Sequence, residues 1–500
     1  MTTLSDTAPG ADQRTPGGEA PSGTIASPAA TVARKEWLDL RRDSRWRAFL
    51  ALTLLLMAAS LATGLAQVRR LDRERALAER GDRDAWTGQG AKNPHSAAHF
   101  GQYAFKPAGP LALADPGVDA YVGNATYLEA HKQNEVQFRA ARDATLAARM
   151  GRLTPAFVLQ TIVPLMAVLL GFSAFSGERE KGTLAQLMSL GVRPTDLLLG
   201  KAAAGAGVLL GLLALACAGL AVGAAFATPG GGAVASDALR TAGLFVAYAL
   251  YVLGFLALAL AASARARSSR GALVGLLGFW LLNTFVAPRV ATELAARAAP
   301  LPTAQAFRDG IAADKRALFG HDESHPGFVA FRDRVLREHG VSRVEDLPVS
   351  FRGLSLREDD HAGYRIFDRH FGRLEAAVER QDALRSLAGF LFPMLALQPL
   401  SMAMAGTDNR HHHDFVHAAE AHRRLIQDEA SRDLIEHARN GDESYVAPAS
   451  LWEDIPAFRY ERPSAAWAWR GRARDLAALA LWAAACGLMA WRSSLRLRPL

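Results

Sequence analysis

The sequence predicts an all-α polytopic membrane protein, with six transmembrane helices and a mainly helical extracytoplasmic domain built from two insertions. Three observations carry this. Segments 46–66, 155–176, 203–228, 241–263 and 271–288 hold almost no internal charge, and a shorter run, 475–491, begins at Asp475. About 20 apolar residues cross a bilayer core, and a soluble protein rarely supplies five such runs. Arginines gather beside the runs, so the net charge of +8 reads as membrane topology and not as nucleic-acid binding. Two long polar stretches, 67–152 and 291–474, interrupt the series. Lipid offers backbone groups no water, so the apolar runs are expected to be helices.

In chain order, residues 1–33 are rich in Gly, Pro, Ser, Thr and Ala and are expected to form a disordered tail. They do not read as a signal peptide, because the charges come late and the apolar run starts near residue 46; the first span, followed by QVRRLDRER with no small-residue cleavage site, is expected to stay as an anchor. Residues 34–66 comprise an amphipathic segment and the first span. Six basic residues in 34–47 place that segment in the cytoplasm, with Trp37 and Trp46 at headgroup level. Residues 67–152 then lie outside. Residues 153–290 carry spans two to five, with a cytoplasmic loop at 177–202. The third and fourth spans form a hairpin joined outside by TPGGGAVASD, and the loop bearing Arg265, Arg267 and Arg270 lies inside. Residues 291–474 form the second outer segment, and 475–500 the last span and a cytoplasmic tail.

One stretch, 387–406, carries no charge and by length alone could make a seventh span. Pro393 and Pro399 are expected to interrupt a helix there, which favours six spans and a buried or membrane-surface segment. Within the outer segments, 125–150, 364–385 and 411–440 have helix-like apolar spacing, whereas 91–122 and 441–463 read as loops. The two segments form one outer domain or two separate caps.

The 177–202 loop, GEREKGTLAQLMSLGVRPTDLLLGKA, is the stretch most suggestive of function. Glu178, Arg179, Glu180 and Lys181 precede Gly182 and Thr183. LAQLMSL then has helical spacing, with Leu184, Leu187, Met188 and Leu190 apolar. Gly191 would end this helix, Thr195 or Asp196 would cap the next, and Lys201 would sit at the cytoplasmic interface. On spacing alone an ordinary charged loop fits equally well. The run Glu178-Arg179-Glu180-Lys181-Gly182-Thr183-Leu184, then Leu187-Met188-Ser189-Leu190 and Leu199-Gly200-Lys201, is similar to the permease subunits of type-2 ABC transporters. The resemblance covers roughly 34–290 and the final span. It implies that Glu178, Arg179, Glu180, Lys181, Gly182, Thr183, Leu184, Leu187 and Lys201 belong to a coupling loop that docks on an ATPase.

The outer segments resemble a narrower subfamily with large extracytoplasmic insertions, domain of unknown function 3526. The matching stretches are 93–101, 115–119, 131–134 and 397–408, continuing through His411, His412, His413, Phe415 and Glu420. The resemblance implies a bacterial inner-membrane permease, working as an exporter beside a second permease chain, identical or related, and a separate ABC ATPase subunit.

No G-x-x-x-x-G-K-[ST] phosphate loop occurs in the chain: Gly200-Lys201 is followed by Ala202. ATP and Mg are therefore expected on the ATPase, with no cofactor and no catalytic residue in this chain. His413 and His417 lie four apart, with Glu420 one turn on, a spacing able to hold zinc or copper. Hydrogen bonding on a helix surface accounts for it more simply. His95 and His99 repeat the interval if their stretch is helical. The spans hold almost no ionisable groups, which argues against an ion-coupled transporter. Pro164 and Asn283 are candidates for a kink and an interhelical hydrogen bond, and the small residues of 202–223 for close helix packing. The rival reading is a membrane-anchored assembly or sensor protein that does not transport.

Overall fold

A computed structural model describes Thr3 and residues 27–143, 153–227, 234–318, 322–441 and 444–498. The expected disordered tail lies outside these residues except for Thr3 and 27–33, and so does the hairpin connection up to residue 233. Helix α1 (Pro28–Arg42) starts within the stretch read as tail, with the Ser27 side chain accepting from Ala30 N at 3.3 Å. Asp43 ends α1, and its carboxylate accepts from Arg45 N at 2.8 Å to open α2 (Ser44–Thr87). At 44 residues, α2 is about 66 Å long. It spans the apolar run and continues as helix into the polar domain.

With α2, five further helices among the described residues are long and apolar enough to cross a membrane: α4 (Pro155–Glu180), α6 (Pro194–Ala227), α7 (Val234–Arg265), α8 (Ser269–Ala298) and α14 (Ala473–Ser494). The chain is thus a multi-pass membrane protein. Helix α7 is central, packing on α4, α6 and α14. Gly254 permits the contact with α14, since a Cβ there would lie 2.2 Å from the Trp482 ring. Two π-helical stretches, Val158–Ile162 and Leu282–Val286, each end two residues before a proline, Pro164 and Pro288. The wider turn accommodates a proline, which has no N–H to donate a helical hydrogen bond. These turns present buried polar side chains. Gln160 Nε2 donates to Tyr248 Oη at 3.0 Å, Asn283 Nδ2 to Tyr251 Oη at 3.0 Å, and Met394 N donates to Asn283 Oδ1 at 3.1 Å. Asn283 therefore makes the interhelical bond expected of it.

The doubtful stretch 387–406 is not a span. Helix α11 (Phe351–Ala388) ends in it, and α12 (Pro393–Ala405) has 13 residues. That is about 20 Å, short of a bilayer core of about 30 Å. Pro393 opens α12, but Pro399 lies inside it without ending it, contrary to expectation. Almost all of α12 is buried, against α7 and α14.

The non-membrane domain is mainly helical: α3 (Pro94–Phe100), α9 (Ala304–Lys315), α10 (Pro326–His339), α11 and α13 (Asn409–His437). Of the helix expected over 125–150, residues 144–150 lie outside the described residues, and the domain departs from expectation at 125–139. There β2 (Ala125–Glu129) and β3 (Lys132–Gln133) form a hairpin, and β1 (Gln102–Phe105) pairs antiparallel with β2. Tyr103 faces Tyr127 across the pair, with rings 4.9 Å apart. Cross-strand aromatic contacts outweighed the apparent helical spacing. The core joins Trp86, Ala97 and Leu128 of the first polar stretch to Phe415, Ile426 and Trp452 of the second. Trp86 Nε1 also donates to Trp452 O at 3.0 Å. The two stretches share one core and are not separate caps.

Candidate functional site

The second span loosens at 172–175 and resumes as Ser176–Glu180. Backbone amides freed there need acceptors. Ser263 Oγ, from α7, accepts from Phe175 N at 2.9 Å and Ser176 N at 3.1 Å. Ser176 Oγ in turn lies 3.1 Å from Ser263 Oγ and 3.0 Å from Ser269 Oγ. Three serines so join α4, α7 and the start of α8.

Past this joint, Gly182 at φ +74° allows the chain to turn into α5 (Thr183–Ser189). Gly191, at φ +82°, ends it as expected: Val192 N bonds Leu187 O at 3.2 Å and Gly191 N bonds Met188 O at 3.1 Å. Helix α6 then opens on Pro194. Thr195 and Asp196 lie in its first turn and not before it, with Asp196 placed to complement the helix dipole.

The charged residues of the loop face inward more than their pattern suggested. Lys201 Nζ, on a side chain only 5% exposed, lies 2.6 Å from Glu36 Oε1 and 3.4 Å from Glu178 Oε1. Lys35 approaches the same Glu178 oxygen at 3.5 Å and Asp39 at 3.1 Å. The other Glu178 oxygen accepts from the Thr183 hydroxyl. Arg179 donates to Ala266 O at 2.7 Å and Ala264 O at 3.1 Å, capping the C-terminal end of α7. Glu180 accepts from Ser269 N at 2.7 Å and Ser269 Oγ at 2.9 Å, at the N-terminus of α8.

Leu184 is buried and Leu187 half-buried, so α5 seats its apolar face on the bundle. Lys181 and Gly182 are exposed, together with Gln186, Ser189, Leu190 and Arg193. Leu190, 79% exposed, is the most open large apolar side chain of the loop.

Sequence reasoning missed the part played by α1. Nothing in the loop pointed to Lys35 and Glu36; the one signal was the mixed charge of 34–47. Helix α1 lies against α6 so closely that a Cβ on Gly200 would fall 2.6 Å from Val32 Cβ. In the non-membrane domain, His413 Nδ1 and His417 Nε2 lie 3.0 and 2.9 Å from the two oxygens of Glu375. Glu420 does not join them; it takes bonds from Arg423 at 2.7 Å and Arg424 at 2.8 Å.

Comparison with known families divides the chain in two overlapping parts. Residues 301–461 match a domain of unknown function (DUF3526). Residues 30–319 match the family described as ABC-2 family transporter protein, which takes in α1, the first five spans and the loop. No curated protein matches the chain. The match spans more than half of the sequence, so this six-span chain, with its helical non-membrane domain, belongs to the ABC-2 transporter family.

Proposed function

We propose that this chain is the membrane-spanning permease subunit of an ATP-driven exporter in the bacterial inner membrane, with ATP hydrolysed by a separate ABC ATPase. The observation that carries the proposal is the construction of the 177–202 loop. Its outward face offers Lys181, Gln186, Leu190 and Arg193, while its inward face is fixed to four helices through the serine joint, Arg179, Glu180 and Lys201. A push on α5 is therefore delivered to α1, α6, α7 and α8 together. A packed bundle answers such a displacement by switching between discrete arrangements.

Arginines 179, 265, 267, 496 and 498 line one recess at this end of the bundle, which favours a cytoplasmic location. The non-membrane domain then lies outside, where it guides cargo or gates its exit. A second permease chain, identical or related, completes the pathway.

The test replaces Leu190 with Asp and purifies the chain from native membranes in mild detergent. Mg·ATP hydrolysis should accompany wild-type protein and be lost with Leu190→Asp, while the variant keeps its thermal midpoint. Equal hydrolysis in both preparations overturns the docking role of this face.

A further inference from the structure

We infer that the non-membrane domain holds a three-histidine site for a divalent transition metal, formed by His95, His99 and His131. The ligand atoms of these side chains all lie within 4.8 Å of one another, the one such grouping among the described residues. Neighbouring chemistry supports a built site more than a chance meeting of rings.

Asn93 caps α3 through His95 N at 3.0 Å and Ser96 N at 3.4 Å, and this short helix sets His95 and His99 one turn apart on a single face. Their rings meet edge to face at 4.7 Å. His131 arrives from elsewhere, at the tip of the β2–β3 hairpin, with rings 5.1 Å from His95 and 5.3 Å from His99. It adopts φ +57°, a left-handed conformation uncommon in non-glycine residues. Two contacts hold the tip there: Ala130 N bonds Ala98 O of α3 at 3.1 Å, and Lys315 Nζ bonds His131 O at 2.6 Å. Backbone strain held in place by its surroundings is a mark of functional positions.

The carboxylate of Asp360, 5% exposed, lies 2.7 Å from His131 Nδ1. A proton on Nδ1 bonded to that carboxylate leaves the Nε2 lone pair as the donor to metal. This is the carboxylate–histidine arrangement that orients metal ligands and raises their basicity. Lys315 brings a positive charge close by, but Asp360 supplies a compensating negative one. A tetrahedral zinc ion with bonds of about 2.0–2.1 Å spaces its ligand nitrogens about 3.3 Å apart. The side chains therefore need to close by up to about 1.5 Å, within the reach of χ rotations for the exposed His99. Three neutral imidazoles suit zinc(II) or copper(II) and leave a fourth position open. Because α3 and the hairpin belong to the first polar stretch and Asp360 to α11, a bound ion also braces the two stretches against each other.

Full-length protein in nanodiscs, stripped with chelator and titrated with zinc(II) alone, tests this. Wild type should bind one zinc per chain through the site, with a raised thermal midpoint. His99→Ala, at an exposed position where folding is not at stake, should lose that equivalent and the thermal response. Asp360→Asn should weaken binding by about 10- to 100-fold. His413→Ala should bind as wild type does, which separates this site from the Glu375 pair. Cobalt(II) should give the intense visible absorption of a tetrahedral site in wild type and not in His99→Ala. Equal zinc stoichiometry in wild type and His99→Ala, or no binding by wild type at micromolar zinc, overturns the inference.

Discussion

Replacing Lys201 with Met should release α1 from the bundle without unfolding the spans. The Lys201 ammonium is 5% exposed and serves Glu36 at 2.6 Å and Glu178 at 3.4 Å, whose side chains are 23% and 16% exposed. A hydrogen bond to a charged group contributes about 1.5–3 kcal/mol. The second contact is long and both carboxylates reach water, so the loss is about 2 kcal/mol in all. Lys35 alone, on a side chain 55% exposed, then faces Glu36, Asp39 and Glu178. Since about 1.4 kcal/mol is a factor of ten, local opening of α1 should become about 30-fold more frequent. Amide hydrogen exchange reads this directly: 28–42 should exchange about 30-fold faster, while α13 stays unchanged. Adding Glu36→Gln should recover much of the protection, because it removes one of the three carboxylates left to Lys35 alone. A change in α1 below about threefold, or uniform acceleration across the protein, would show that Lys201 does not hold α1 to the bundle.

Two further outcomes concern the non-membrane domain. Asp408, 1% exposed on its side chain, pairs with Arg472 at 2.8 Å and with His411. Burial opposes its charge, but the His411 hydrogen bond and the Arg472 guanidinium outweigh burial and hold the carboxyl well below the usual range. Its stabilising contribution is present above about pH 4 and fades on stronger acidification. Asp408→Asn leaves the buried Arg472 with only the longer contact to Asp475, at 3.7 Å, and should lower stability by about 3 kcal/mol at neutral pH, seen as a lower thermal midpoint. Conversely, burial first and the Arg83 charge second push the His422 imidazole down to about 4. The unfolded chain then takes up a proton near pH 6.5 that the folded one refuses, so stability falls as pH drops from 6.5 towards 4, by up to about 1.4 kcal/mol per pH unit. His422→Gln should flatten that pH dependence of the thermal midpoint.

The spans were legible because lipid imposes one rule on every apolar run, and charge-free length was enough to find them. Gly191 was legible for a local reason, the left-handed turn that ends α5. The hairpin of β2 and β3 was not, because its stability lies in the long-range pairing of Tyr103 with Tyr127, invisible in the spacing of 125–150. Pro399 misled in the other direction, since a buried helix tolerates it inside the packing of α12. In the loop, the residue pattern marked the place, but not the direction in which its charges point. Glu178, Arg179 and Glu180 spend their charge on Lys201, the end of α7 and the start of α8, which only the folded arrangement reveals. His131 likewise sits 32 positions from His99, brought near it by the hairpin.

Docking of a separate ATPase on the outward face of 177–202, as proposed, makes Leu190 the position to perturb. The most direct measurement is Mg·ATP hydrolysis co-purifying with wild type, with Leu190→Asp, and with Val446→Asp as an exposed control in the non-membrane domain. A charge in place of a docked leucine should remove about 3 kcal/mol of binding, roughly a hundredfold in affinity. Hydrolysis should accompany wild type and Val446→Asp and be lost with Leu190→Asp. Hydrolysis that follows all three proteins equally, or none of them, would contradict it.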